Sequence, residues 1–85
     1  MLKYNELSVA KINDNKNIVI SECTKNENEP NGYTLAQQVE VTDGGKRIKV
    51  FMKGAIHIKD VDCLYNLRDA IIQAIDEIEE IKHFV

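Results

Sequence analysis

The chain has no tryptophan, and its aromatic residues are three tyrosines and two phenylalanines. Any surface that stacks flat rings must therefore be sparse. There is one proline, Pro30, and there are four glycines, Gly32, Gly44, Gly45 and Gly54. None of these glycines opens a helix in the pattern of a phosphate-binding loop. The two cysteines, Cys23 and Cys63, form no C-x-x-C pair, and with His57 they match no zinc spacing. Two free, packed thiols in a reducing compartment are expected, with no metal and no other cofactor. Apolar runs reach only a few residues, too few to span a membrane, and the opening MLKYNEL is too polar for the core of a secretory signal. A cytoplasmic protein without membrane association is the expectation. His57 and His83 fall in different predicted elements and pair with no serine or cysteine nucleophile. No catalytic residue is singled out, and no enzyme activity is expected.

What the chain does have is one strongly patterned stretch, residues 46–59, reading KRIKVFMKGAIHIK. Side chains alternate between faces along a strand. Ile48, Val50, Met52, Ile56 and Ile58 fall on one face, which is expected to be buried. Arg47, Lys49, Phe51, Lys53, His57 and Lys59 fall on the other, which is expected to be exposed and cationic. A strand typically runs about five or six residues, so Gly54 is expected to mark a bend, bulge or break.

The rest of the chain reads as partners for this ribbon. Strands are expected at about 7–12, 17–23 and 33–41, followed by the fourth at 46–58. Asn13-Asp14-Asn15-Lys16 is a turn, and Asp43-Gly44 between two β-patterned runs is a hairpin signal. Residues 24–32, TKNENEPNG, are predicted to be a polar connecting loop. Asp60 is a suitable N-cap for a helix over about 61–82. Val61, Leu64, Leu67, Ile71, Ile75 and Ile78 recur on that helix at spacings of three and four, with Ile81 widening the stripe. The fold class is thus α+β, an antiparallel four-stranded sheet followed by one long C-terminal helix, in a single domain spanning residues 1–85. A helix of this length spans roughly 33 Å and a six-residue strand about 20 Å. The helix should overhang its sheet and seek a second copy, making a homodimer.

The net charge of −3 conceals a strong segregation. Residues 1–43 carry −3, residues 44–59 carry +5 with no acidic side chain, and residues 60–85 carry −5. General affinity for polyanions is not expected, but a local patch is. Proteins that bind single strands combine a cationic track with aromatic side chains on which bases stack. Arg47, Lys49, Phe51, Lys53, His57 and Lys59 supply both ingredients and form the expected nucleic-acid-binding set.

The strand order, the segment Lys53-Gly54-Ala55-Ile56-His57-Ile58 and the helix with Leu64, Leu67 and Ile71 carry a resemblance. Over residues 5–82 the chain is similar to the single-stranded-DNA-binding domain of the positive-cofactor-four transcriptional coactivators and their bacterial and phage relatives. That resemblance implies a dimer paired through the helix, with curved sheets that bind single strands. It also implies phosphate contacts near Lys53 and stacking at Phe51. Two alternatives stand beside this reading. One is a small protein-binding module, such as a phage or mobile-element inhibitor of a host factor, that engages its partner through Asp76, Glu77, Glu79 and Glu80. The other is an oligomer that holds a nucleotide-like ligand in its interface.

Overall fold

The computed structural model describes residues 2–26 and 29–83, with side chains through Glu80. The fold is α+β, an antiparallel sheet followed by one C-terminal helix. Its elements are β1 (Lys3–Asn13), β2 (Lys16–Asn26), β3 (Glu29–Asp43), β4 (Lys46–Phe51), β5 (Ile56–Ile58) and α1 (Val61–His83). The sheet order is β1-β2-β3-β4, and β5 joins β3 beyond the end of β4.

The turns form where local chemistry favours them. Asn15 N–H donates to Asn13 Oδ1 at 3.2 Å, which closes the β1–β2 turn. The Asp43-Gly44-Gly45-Lys46 sequence makes the tight β3–β4 hairpin, with Asp43 directly opposite Lys46.

Residues 24–32 do not form the expected loop. β2 continues to Asn26 and β3 starts at Glu29, with Thr24 paired to Pro30 and Asn26 to Glu29. The polar composition of this segment suits an exposed hairpin tip as well as it suits a connector. Glu27 and Asn28 lie outside the described residues, as do Phe84, Val85 and the side chains of Ile81 and His83.

The expected fourth strand is divided at Gly54. Phe51 pairs with Gln38, and Ile56 pairs with Leu35. Residues 52–55 therefore stand against only Ala36 and Gln37. Met52 N–H still donates to the Gln37 carbonyl at 2.8 Å, so the break is a wide bulge held to β3. Two extra residues preserve the alternation, because the side-chain period of a strand is two. His57 therefore lies on the same face as Arg47, Lys49 and Phe51.

A one-residue irregularity does the opposite in β1. Leu7 has no partner between the Glu6–Ser21 and Ser8–Ile20 pairs. The face therefore inverts at Leu7. Tyr4 and Glu6 share a face with Val9 and Lys11, while Ser8 and Ala10 lie on the other. This bulge is why the 7–12 segment shows no clean alternation.

Directly paired residues share a face, so the register defines two sides of the sheet. One side carries Arg47, Lys49, Phe51, His57, Thr34, Ala36, Val19, Ser21, Cys23 and Tyr4. Val19 and Cys23 are the most buried side chains, each 1% exposed. The cleft above this side is lined by β1, β2, β3, β4 and the 52–55 segment, without α1. The sheet thus curls over its own basic face.

The opposite side carries Ile18, Ile20, Leu35, Val39, Val41, Ile48, Val50, Ile56 and Ile58. Here the expectation of a buried ribbon face fails within one chain. Ile48, Val50 and Ile56 are all exposed, Ile56 by 59%. The physical reason is the position of α1. It packs closest to β5, and among its described side chains only Cys63, Leu64 and Leu67 are half-buried. From Arg68 to Glu80 every described residue is exposed. The radius of gyration is 16.2 Å, against about 12 Å for a compact chain of this length.

Gly32 makes the tightest backbone approach among the described glycines. Its φ is +82°, and a Cβ there would collide with the Ile58 carbonyl oxygen and crowd the Lys59 carbonyl and the His57 ring. Gly54 also has a positive φ, +95°, but open space around it. Left-handed strain of roughly 1–3 kcal/mol applies to an alanine at either position. Gly32→Ala must in addition push β5 off β3. Thermal unfolding is expected to show a melting temperature lower for Gly32→Ala than for Gly54→Ala by about 5 °C or more. Equal melting temperatures would show that the approach is unimportant.

Candidate nucleic-acid interface

The ribbon residues expected to bind nucleic acid divide into two groups. Arg47, Lys49 and Phe51 lie in line on β4, opposite Thr42, Glu40 and Gln38. Phe51 is 60% exposed, as its odd position predicts. His57 lies on the same face but further along β3, opposite Thr34. Its Nε2–H donates to the Asn31 carbonyl at 2.7 Å, so the ring ties β5 to the 29–32 segment. Lys53 and Lys59 are not on the ladder. Lys53 sits in the 52–55 bulge, and Lys59 lies between β5 and the helix. The structure sets Arg47, Lys49 and Phe51 in line on β4, places His57 further along the same face, and leaves Lys53 and Lys59 in the connecting segments.

The electrostatics of this face are less one-sided than the ribbon alone suggests. Arg47 Nη1 lies 3.9 Å from Glu40 Oε1, with the arginine side chain 80% exposed. Such a solvated pair contributes little. Lys49 is directly opposite the same carboxylate. β1 adds Lys11 to this face, in a row with Asn17, Gln38 and Phe51. It also adds Glu6, in the row of Ser21, Thr34 and His57.

Between these rows lies a cleft of about 270 Å³ lined by Tyr4, Ser21, Thr34, Ala36, Phe51, Met52 and Ala55. Met52, expected on the apolar face, lines this cleft because the bulge begins there. Tyr4 was not among the expected site residues. Simple alternation from Leu7 and Val9 puts it on the opposite side, and no feature of the sequence marks the Leu7 bulge that reverses the assignment.

The approach to the helix is built by Asp60. Its Oδ1 accepts the Cys63 N–H at 3.0 Å, and its carbonyl accepts the Leu64 N–H at 3.3 Å. That first bond holds the Asp60 carboxyl below its usual pKa. The same carboxylate, accepting from the thiol, raises the pKa of Cys63, so its thiol stays protonated at neutral pH. No group of three or more histidine, cysteine or acidic side chains is placed to hold a metal ion among the described residues. No described helix is long and apolar enough to cross a membrane.

No protein-family model, curated protein or solved structure matches this chain.

The Asp60 cap has a defined pH dependence. A carboxylate whose folded pKa is depressed stabilises the fold above its unfolded value, about 3.9, and loses that effect as the pH falls through the lower folded value. Asp60→Asn keeps an oxygen acceptor but does not titrate. Helix content followed by circular dichroism should therefore fall more steeply for the parent chain than for Asp60→Asn below about pH 4. Parallel acid transitions would contradict the capping role.

Proposed function

We propose that the chain is a homodimeric protein that binds single-stranded nucleic acid through the face bearing Arg47, Lys49 and Phe51. The observation that carries this reading is the grouping of two cations and an exposed aromatic ring on one curled sheet face. Phosphates of a strand would lie along Arg47 and Lys49, and a base would stack on Phe51. Lys53 and Lys59 would meet the strand from the connecting segments, and His57 would border it. A chain of net charge −3 would hold a polyanion only along this track. The resemblance to the positive-cofactor-four coactivators supports the same arrangement.

The second copy follows from what one chain leaves uncovered. Ile71, Ile75 and Ile78 form a stripe along α1 and are 52%, 49% and 54% exposed. Most helical stability in proteins comes from packing of an amphipathic face rather than from propensity, so the distal helix needs a partner for its apolar side. Antiparallel pairing of two α1 stripes would cover both at once. The exposed Ile48, Val50 and Ile56 supply further apolar area towards the roughly 1,600 Å² of a standard interface.

The same exposed stripe, bordered by Asp76, Glu77, Glu79 and Glu80, supports a second reading. In it α1 docks on a basic surface of a host protein, as a small binding module or a phage or mobile-element inhibitor would.

Three measurements test these readings. Light scattering should give twice the chain mass, and Ile71→Asp with Ile75→Asp should yield a monomer with reduced helix content. A parent chain that is monomeric would overturn the dimer and favour the docking module. Titration of a labelled single-stranded oligonucleotide should show affinity that falls with salt. Arg47→Glu with Lys49→Glu should flatten the log–log salt slope by about 1.4, at roughly 0.7 per phosphate contact. Phe51→Ala should leave the melting temperature within a few degrees and weaken binding roughly tenfold or more. Unchanged affinity in these ribbon variants would sink the single-strand reading.

A further inference from the structure

The cleft beside Phe51 is built differently from a packing defect. Its floor consists of small side chains, Ser21, Thr34, Ala36 and Ala55, from β2, β3 and the bulge. Its ends carry two exposed rings, Tyr4 and Phe51, each 60% exposed. Tyr4 stands on β1 and Phe51 on β4, so the cleft runs diagonally across β2 and β3. A floor of small residues leaves room directly above the sheet, and no described side chain fills it. Lys11 at one edge and Arg47 and Lys49 at the other place positive charge beside an apolar trough, with Glu6 and Glu40 on the same face.

We infer that this trough is a base-binding channel for consecutive unpaired nucleobases, with Tyr4 as a second stacking platform opposite Phe51. The inference rests on the single-strand reading above and adds its direction. The strand crosses the sheet from β4 to β1 rather than following β4 alone. Flat heteroaromatic rings suit the site because their faces are apolar and their edges are polar. Bases would lie over the alanines, with edges near the Ser21 and Thr34 positions. The sugar–phosphate chain would stay outside, near Lys11, Arg47 and Lys49. A second copy of this chain is a poorer occupant, since its exposed helix residues are branched isoleucines and acids. Carboxylates would gain nothing from the aromatic walls.

The test compares two probes of equal charge, a labelled twelve-nucleotide oligothymidylate and an abasic twelve-unit strand with the same backbone. Tyr4→Ala and Tyr4→Leu are each measured alongside Phe51→Ala and Lys49→Glu. Both Tyr4 variants should lose about tenfold or more in affinity for oligothymidylate, since each stacked base contributes that much. They should leave the weaker abasic binding unchanged. Lys49→Glu should weaken both probes. Tyr4→Leu retains apolar bulk on β1, so a loss it shares with Tyr4→Ala at an unchanged melting temperature belongs to the ring. If Phe51→Ala and Lys49→Glu weaken oligothymidylate binding while both Tyr4 variants bind normally, the channel is overturned and the simpler β4 track stands. If the parent chain binds neither probe at low salt, both proposals fall.

Discussion

The whole molecule hangs on the backbone hydrogen bonds of β3. Its 15 residues pair with β2 along one edge and with both β4 and β5 along the other. No second layer does comparable work within one chain. Among the described residues, Val19, Cys23 and Val39 are the buried apolar ones, which is a very small core. Side-chain burial is therefore a secondary source of order here. The ladder fixes which residues share a face, and it fixes where the helix leaves the sheet.

This explains the division between what the sequence revealed and what it hid. The Asp43-Gly44 hairpin, the Asp60 cap and the three-four spacing of α1 are local signals, each readable within a few residues. The odd face of the 46–58 ribbon was legible for the same reason, and Phe51 is exposed as alternation requires. The even face was misread because alternation reveals a face but not what covers it. The polar tip of the β2–β3 hairpin was misread because asparagine, glutamate and proline mark exposure, and exposed strands look like loops. Tyr4 was missed because one unpaired residue, Leu7, reverses the face of everything before it.

The helix and the sheet divide the remaining tasks. α1 leaves the sheet after Leu67 with its apolar stripe uncovered, and its acids gather near the far end. The basic ribbon stays on the sheet, away from those acids along the chain. The basic ribbon and the apolar stripe thus lie on separate elements of a small domain and share no residues.

The bulge at residues 52–55 also sets how this chain can change over evolutionary time. Because two extra residues stand opposite β3, shortening or lengthening the segment by two leaves His57 and Ile58 on their present sides. A change of one residue must be taken up within the unpaired 52–55 segment, or Ile56 and Ile58 turn towards the basic face and α1 loses its anchor on β5. Changes of two residues are the ones that the ladder accepts without rearrangement.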